Sequence, residues 1–335
     1  MQFATESEVS SASKHVRSLA NTLNQVLFGQ EELIDLVITG LLARGHILLE
    51  GLPGLGKTEL VKGLSKALSL DAKRIQFTPD LLPGDITGNP VLQENDNRRE
   101  FVFQPGPLFT NILLADEINR ASPKTQSAML EAMQERRVTV IGETHDLPTP
   151  FFVLATQNPI ELEGTYPLPE AQLDRFLFKL EVSRNNVDTL EKIVNHRELG
   201  TEPEVNNMMD ATQLSETLDL VRRIYLPDVV ANYIARLVDA THPGQSSAAS
   251  GIKYGSSPRA ALSLASAAKA RATMNERTHA SFEDVKYVAP AVLRHRMILD
   301  YNARVEGKTT NDTIIALLDE VPFQAKETPR TMVSQ

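Results

Sequence analysis

The chain contains no cysteine. That excludes disulfide staples, thiolate zinc sites and cysteine nucleophiles together, and it suits a reducing interior. The seven histidines are scattered, and none forms an H-x-x-x-H pair with metal-ligand spacing, so each reads as a surface or packing residue. No run approaches the roughly 18 apolar residues of a membrane helix. The first residues, "MQFATESEVSSASKHV", lack the apolar core of a signal peptide, and a cytoplasmic protein with no membrane partner is expected. Positive charge is also short: 34 Lys and Arg stand against 43 Asp and Glu, a net charge of −9. This argues against a surface that binds phosphate backbones indiscriminately, so nucleic acid is not the expected partner. What the chain does have is length and apolar content. Its 335 residues, 41% of them hydrophobic, suffice for about two domains with sizeable cores.

Along the chain the pattern changes once. Val16, Leu19, Leu23 and Val26 recur at helical spacing and predict a lead-in helix within residues 1–25. "QEELIDLVITGLLARGH" continues as a helix, with Gly45 where it should stop. Short apolar runs then alternate with helical patterns: "HILLEG", "KTELVKGLSKALSL", "RIQFT", "NILLADE", "PKTQSAMLEAMQER", "FFVLATQN". That alternation predicts an α/β fold, a parallel sheet covered by helices on both faces, over residues 26–183. Beyond about residue 183 the strand signal stops, and an all-helical domain is expected over 184–325, followed by a frayed tail at 326–335. Ser257 and Pro258 form an N-cap and first-position proline for one of its helices.

The chemistry begins at "GLPGLGKT", which matches G-x-x-x-x-G-K-[ST] between a strand and a helix. Glycines let backbone N–H groups wrap phosphate oxygens, Lys57 reaches the outer phosphates, and the Thr58 hydroxyl can ligate Mg²⁺. "GLLARGH", with His46 in place of lysine, and "EGKTT", with no upstream strand, mimic parts of the motif and read as structural. "ILLADE" supplies the complementary strand: Asp116 for the Mg²⁺ shell and Glu117 to orient and deprotonate water. In "FFVLATQNP", Gln157 and Asn158 end a third buried strand, where a neutral amide can hydrogen-bond the same water or the γ-phosphate. Arg175 in "LPEAQLDRFLF" and Arg259 in "GSSPRAAL" are either anion contacts or surface ion pairs.

With these motifs in order, the chain resembles an AAA+ ATPase, and within that class the MoxR family, over about residues 26 to 320. "ADEINRASPKTQSAMLEAMQER", "ATQNP" and "LPEAQLDRFLF" carry the resemblance more narrowly than the loop does. It implies a P-loop AAA+ core and a helical lid, binding ATP and Mg²⁺ and hydrolysing ATP. The loop residues Gly51, Leu52, Pro53, Gly54, Leu55, Gly56, Lys57, Thr58 and Glu59 correspond to the phosphate cradle, and Gly29 and Gln30 in "FGQ" to the adenine side. Asn158 corresponds to the sensor-one residue, Arg175 to the arginine finger and Arg259 to the sensor-two arginine, which serves either its own site or a neighbour's. Arg120 is a second candidate for acting in trans. The family further implies a homo-oligomeric ring, usually a hexamer. Fingers supplied in trans contribute about 10³ to 10⁵ in rate in GTPases. Two insertions are expected, at 88–109 with an "NDN" turn and at 136–148 with a Gly142-Glu143 turn, contacting a client, contacting a neighbour, or simply packing the ring.

Three functions fit these residues to different degrees. The first is a chaperone-like ring that remodels, matures or activates a partner, with metal insertion as one form; MoxR relatives often act with proteins bearing a von Willebrand factor type A domain. A nucleic-acid motor shares the core but sits poorly with the acidic "QENDN" and "GETHD" of the insertions. A ring that binds ATP without turnover sits poorly with Glu117 and Arg175. No N-K-x-D guanine reader, L-S-G-G-Q signature or D-E-A-D box occurs in the chain.

Overall fold

The structure is a computed structural model that describes residues 2–52, 54–95, 98–159, 164–182, 184–198, 201 and 205–324. Pro53, the expected turn at Asp96 and Asn97, and the tail lie outside these residues. The chain divides into two compact units, Ser10–Val221, and Met1–Val9 with Arg222–Gln335.

The lead-in helix is α1, Glu6–Val26. Val9, Ala12, Val16, Leu19, Leu23 and Val26 are all buried along it, the stripe its spacing predicts. Helix α2, Glu31–Leu42, stops in a Schellman arrangement: Arg44 N–H bonds Leu41 C=O at 2.9 Å and Gly45 N–H bonds Gly40 C=O at 3.0 Å. The left-handed residue there is Arg44 (φ 57), not Gly45. Gly45 matters for space, because a β-carbon on it would strike the Leu177 side chain.

Next come β1 (Ile47–Glu50), α3 (Lys57–Leu68), β2 (Ala72–Gln76), the short α4 (Pro83–Thr87), and the antiparallel pair β3 (Gly88–Asn95) and β4 (Arg98–Pro105). They are followed by β5 (Ile112–Asp116), a 3-10 turn at Ile118–Arg120, α5 (Pro123–Glu135), and a second antiparallel pair, β6 (Arg137–Val140) and β7 (Glu143–Asp146). The unit continues through β8 (Phe152–Gln157), α6 (Glu170–Leu173), β9 (Phe178–Glu181), α7 (Val187–His196) and α8 (Ala211–Arg223).

Five strands form one parallel sheet in the order β2-β5-β8-β1-β9. The three inner strands are continuous apolar runs because both of their faces are covered. On one face Leu48, Leu113, Ala115, Val153 and Ala155 share a core with Phe77, Met129, Leu130, Met133 and Phe176. Edge strand β2 differs: Ile75 is buried, while Arg74 and Gln76 alternate with it on an exposed face. His46, just before β1, is fully enclosed. Its Nδ1 accepts from Val153 N–H at 3.0 Å and its Nε2 donates to Met133 C=O at 3.0 Å, tying β8 and α5 to the start of β1. Burial lowers its pKa from 6.5 to about 4, so the ring is neutral.

The compact division falls later than the change of sequence pattern near residue 183, and hydrogen bonds explain why. Met208 and Met209 N–H both donate to Ala67 C=O at the end of α3 (2.8 and 3.1 Å), and Arg44 pairs with Asp219 at 2.6 Å. These bonds hold the segment before α8 and most of α8 to the sheet unit. The first residues belong with the other unit through Ala4 N–H to Arg223 C=O (3.2 Å) and the Arg223–Glu8 ion pair (2.7 Å).

That unit is helical: α9 (Asp228–Ala240), α10 (Pro258–Met274), α11 (Phe282–Leu293), α12 (Tyr301–Val305) and α13 (Thr310–Glu320), with a small antiparallel pair, β10 (Ile252–Tyr254) and β11 (Ile298–Leu299). Ser257 caps α10 ahead of Pro258, as its sequence predicts. Capping boxes at Ser281/Asp284 and Thr309/Asp312 start α11 and α13.

Candidate functional site

The carboxyl ends of the parallel strands bring the predicted motifs to one edge of the sheet, where open α/β sheets place their ligands. β1 ends at Glu50, and the loop that follows turns through Gly54 (φ 81) and Gly56 (φ 80) into α3. Positive φ demands glycine at both, and a β-carbon at Gly56 would also collide with Leu27 Cδ1. No side chain caps α3, so its first N–H groups are available to an anion. Lys57 Nζ donates to Gly51 C=O at 2.7 Å. Burial lowers the Lys57 pKa, and the charges of Asp116 and Glu117 oppose that shift.

Two strands away, β5 delivers the carboxylates into a connected network. Asp116 Oδ1 accepts from Thr156 Oγ1 at 2.6 Å, and Asp116 Oδ2 accepts from Arg74 Nη2 at 2.6 Å and Nε at 3.2 Å. Glu117 has a left-handed backbone (φ 58), held by its N–H bond to Thr156 Oγ1 at 2.9 Å. Its Oε2 accepts from Gln76 Nε2 at 2.8 Å and Arg120 Nη1 at 3.1 Å. Gln76 Oε1 in turn accepts from Arg74 Nη2 at 2.6 Å. Asn158, 8% exposed, stands at the tip of β8, and its C=O accepts from Asn119 Nδ2 at 3.4 Å.

These groups line one cleft of about 660 Å³, which contains Gly51, Gly54, Leu55, Gly56, Lys57, Thr58, Glu59, Asp116, Glu117 and Asn158. The lining also carries the apolar Val26, Leu27, Phe28 and Ile193, with Arg197 just after α7 and the polar Asn185, Glu198 and Thr201. Arg197 donates to Gln25 and Val26 C=O (3.0 and 2.6 Å) and covers the Phe28 ring at 5.3 Å. Gly29 and Gln30 follow Phe28 in the chain and are not among the residues lining the cleft. Gly29 (φ 68) turns the chain where a side chain would strike Thr189, and Gln30 Nε2 donates to Asn185 Oδ1 at 3.0 Å. Leu52 is half-buried outside the lining.

The two expected arginines lie elsewhere. Arg175, exposed just after α6, lines a separate cleft of about 600 Å³ with Glu131, Glu135, Arg137 and Gln172. Arg259 is exposed in the first turn of α10 in the helical unit, its backbone N–H bonded to Ser257 Oγ at 3.2 Å.

Arg74, Gln76 and Thr156 are functional candidates that motif reasoning passes over. The signals for them were modest: polar residues alternating with Ile75 in "RIQFT", and a lone hydroxyl inside the apolar run "FFVLATQ".

A glycine loop feeding Lys57 and Thr58 into a helix, an acidic pair at the end of another strand of the same parallel sheet and a following helical unit define an AAA-type P-loop ATPase. Residues 46–178 match the family described as "ATPase family associated with various cellular activities", and residues 245–316 match the AAA lid domain. The chain is 38% identical to "Chaperone MoxR1" of Mycobacterium tuberculosis (92% of this chain, 85% of that one). It is 46% identical to the Bacillus subtilis protein YeaC (85% and 87%). A crystal structure from Cytophaga hutchinsonii ATCC 33406 superposes with a TM-score of 0.88 at 39% identity, over 96% of this chain and 98% of that one. The chain belongs to the MoxR family of AAA ATPases, which bind and hydrolyse ATP. Among the described residues no helix is long and apolar enough to cross a membrane.

Proposed function

We propose that the protein works as a ring of identical subunits, with ATP turnover driving the remodelling or maturation of a partner protein. Within one chain, Gly51 to Glu59 cradle the phosphates, Lys57 carries the main positive charge, Glu117 orients and deprotonates the attacking water, and Asn158 holds that water or the terminal phosphate. Thr58 and Asp116 offer only oxygen donors. That fits Mg²⁺, which takes one or two protein oxygens and completes its shell with water and phosphate. When bound, the ion neutralises charge developing on the transferred phosphoryl group. Phe28 and Ile193 receive the base, with Gly29 turning the chain after Phe28 and Gln30 bonded to the lining residue Asn185.

One observation carries the ring. The guanidinium of Arg175 is exposed, makes no hydrogen bond or ion pair among the described residues, and belongs to a different cleft from Lys57 and Asp116. Such a cation completes a phosphate site in another copy of the chain. Arg120, bonded to Glu117, acts in cis, and Arg259 is the sensor-two arginine, acting in cis or in trans. The inserted hairpins β3–β4 and β6–β7 carry the client contact. Leu92 and Phe101 pair across the first and Ile141 tips the second, all exposed. His145 stacks on Phe103 at 3.9 Å, so the two hairpins meet as one surface. A chaperone name on a relative supports this reading, and a partner with a von Willebrand factor type A domain, with or without metal insertion, is the first client to try.

The test is a mixing experiment. Arg175→Ala and Glu117→Gln subunits are each expected to be inactive, and mixtures should recover part of the ATPase activity, because an intact Glu117 then meets an intact Arg175 across an interface. No recovery at any ratio would count against a finger acting in trans.

A further inference from the structure

Arg74 stands apart from the family motifs yet bonds Asp116 directly and reaches Glu117 through Gln76. It lies on β2, an edge strand whose register sets Gln76 beside Asp116 and Arg74 beside Leu114. Arg74 and Gln76 therefore point from the same face toward the carboxylates at the sheet's end. The guanidinium makes two hydrogen bonds to Asp116 Oδ2, while Asp116 Oδ1 takes the hydroxyl of fully buried Thr156. Both oxygens of the metal-shell carboxylate are thus engaged, one by a buried neighbour and one by a movable cation. The Arg74 side chain is 51% exposed against 17% for Asp116, so it can leave without opening the core.

An exposed ion pair on a protein surface ordinarily means little. Two features separate this one from that case. Its acid is the carboxylate placed to hold a divalent ion, and its arginine also bonds Gln76, whose amide holds Glu117. Lys57, Arg74 and Arg120 together set three cations against Asp116 and Glu117 around the cleft.

The geometry points to Arg74 as a built-in competitor of the divalent cation. Guanidinium and metal ion, the latter directly or through a bound water, claim the same Asp116 oxygen, so metal binding releases Arg74 and with it the present anchor of Gln76. Arg74 is a positioning residue that weakens metal binding and links it to the Glu117 side chain. This inference rests on the reading of Asp116 as a metal-shell residue.

The experiment is a Mn²⁺ titration of the full-length protein with saturating ADP, read by the electron paramagnetic resonance of free Mn²⁺. ADP leaves out any contact of Arg74 with a γ-phosphate. Arg74→Gln is expected to bind Mn²⁺ about twofold to fivefold more tightly than the unaltered chain, the scale on which one competing exposed ion pair acts. Arg74→Lys, which keeps the charge, should remain near the original affinity, and the gain from Arg74→Gln should vanish on an Asp116→Asn background. Unchanged or weaker Mn²⁺ binding by Arg74→Gln, with ADP still bound, overturns the competition alone. Failure of the unaltered chain to bind ADP overturns the nucleotide reading and this inference with it.

Discussion

The nucleotide cleft and the two inserted hairpins both rely on backbone with positive φ, and they surround it in opposite ways. In the cleft, Gly54 and Gly56 take that conformation without a β-carbon, and Glu117 takes it under a bond from its N–H to a buried hydroxyl. Each carboxylate there is tied to at least two donors. In the hairpins, Ile141 adopts φ 48 with 81% of its surface exposed, and Phe101 is 74% exposed. One region spends hydrogen bonds to fix polar atoms; the other leaves apolar atoms in water. In our reading that is the difference between a place where chemistry is done and a place where a partner is met.

The largest break in this contrast comes from Lys57→Ala. The ammonium is half-buried and is the cation that begins α3, so its loss leaves nucleotide phosphates facing Asp116 and Glu117 with less compensation. Truncating one partner of a buried, hydrogen-bonded charge pair costs about 2–5 kcal/mol, roughly thirtyfold to several thousandfold in Kd. Calorimetric titration of ATP is expected to show that loss. Binding of ATP at the original affinity would place the phosphates somewhere other than the glycine loop.

Lys57 was legible in the sequence because phosphate chemistry demands a residue type at a fixed spacing, and the same holds for Thr58, Asp116, Glu117 and Asn158. The alternation of apolar runs and helices likewise carried the parallel sheet. Arg74, Gln76 and Thr156 were not legible in the same way. They reach Asp116 and Glu117 through the parallel register of β2, β5 and β8, which joins residues about 40 positions apart. Local stops were misplaced for a related reason. Arg44 and Ile141 hold left-handed conformations normally taken by glycine, and each has a glycine next to it. The second hairpin therefore turns on Ile141-Gly142, closed by the pair Val140 and Glu143, where the sequence pointed to Gly142-Glu143. The change of pattern near residue 183 marks the end of the parallel sheet's strands but not of the compact unit, because Met208 and Met209 bond back to the end of α3 and Asp219 of α8 pairs with Arg44.

The sheet beneath the cleft should be as unforgiving to protons as the cleft is to substitutions. His46 titrates near 6.5 in an unfolded chain and about 4 in the fold, where burial disfavours the cation. Between those values the unfolded chain binds a proton that the folded one does not, so stability rises with pH across that window. The contribution is fully present above pH 6.5 and is lost as pH falls toward 4, about 3 kcal/mol in all. Denaturant unfolding at stepped pH should show the slope, and His46→Gln should flatten it while lowering stability at pH 7. An unchanged slope in that variant would mean that other groups carry the acid sensitivity.

The smallest expected effect discriminates best, because its sign differs between the two regions. A β-branched residue in the left-handed region costs roughly 1–2 kcal/mol, and a two-residue hairpin loop with positive φ at both positions prefers Asn-Gly. Ile141 contributes almost no buried surface to offset that cost, being 81% exposed at the tip. Ile141→Asn is therefore expected to stabilise the isolated protein by about 1 kcal/mol, a rise of roughly 2–4 °C in Tm. In the cleft the corresponding change goes the other way. Gly56→Ala adds a methyl group where φ is 80 and Leu27 already fills the space, so it should lower Tm. A hairpin that gains stability when its exposed isoleucine is removed is one in which that side chain serves something outside the fold, and client stimulation of ATP turnover should fall as Tm rises. If Ile141→Asn lowers Tm instead, the side chain packs within the protein, and the contrast between the two regions does not hold at the tip.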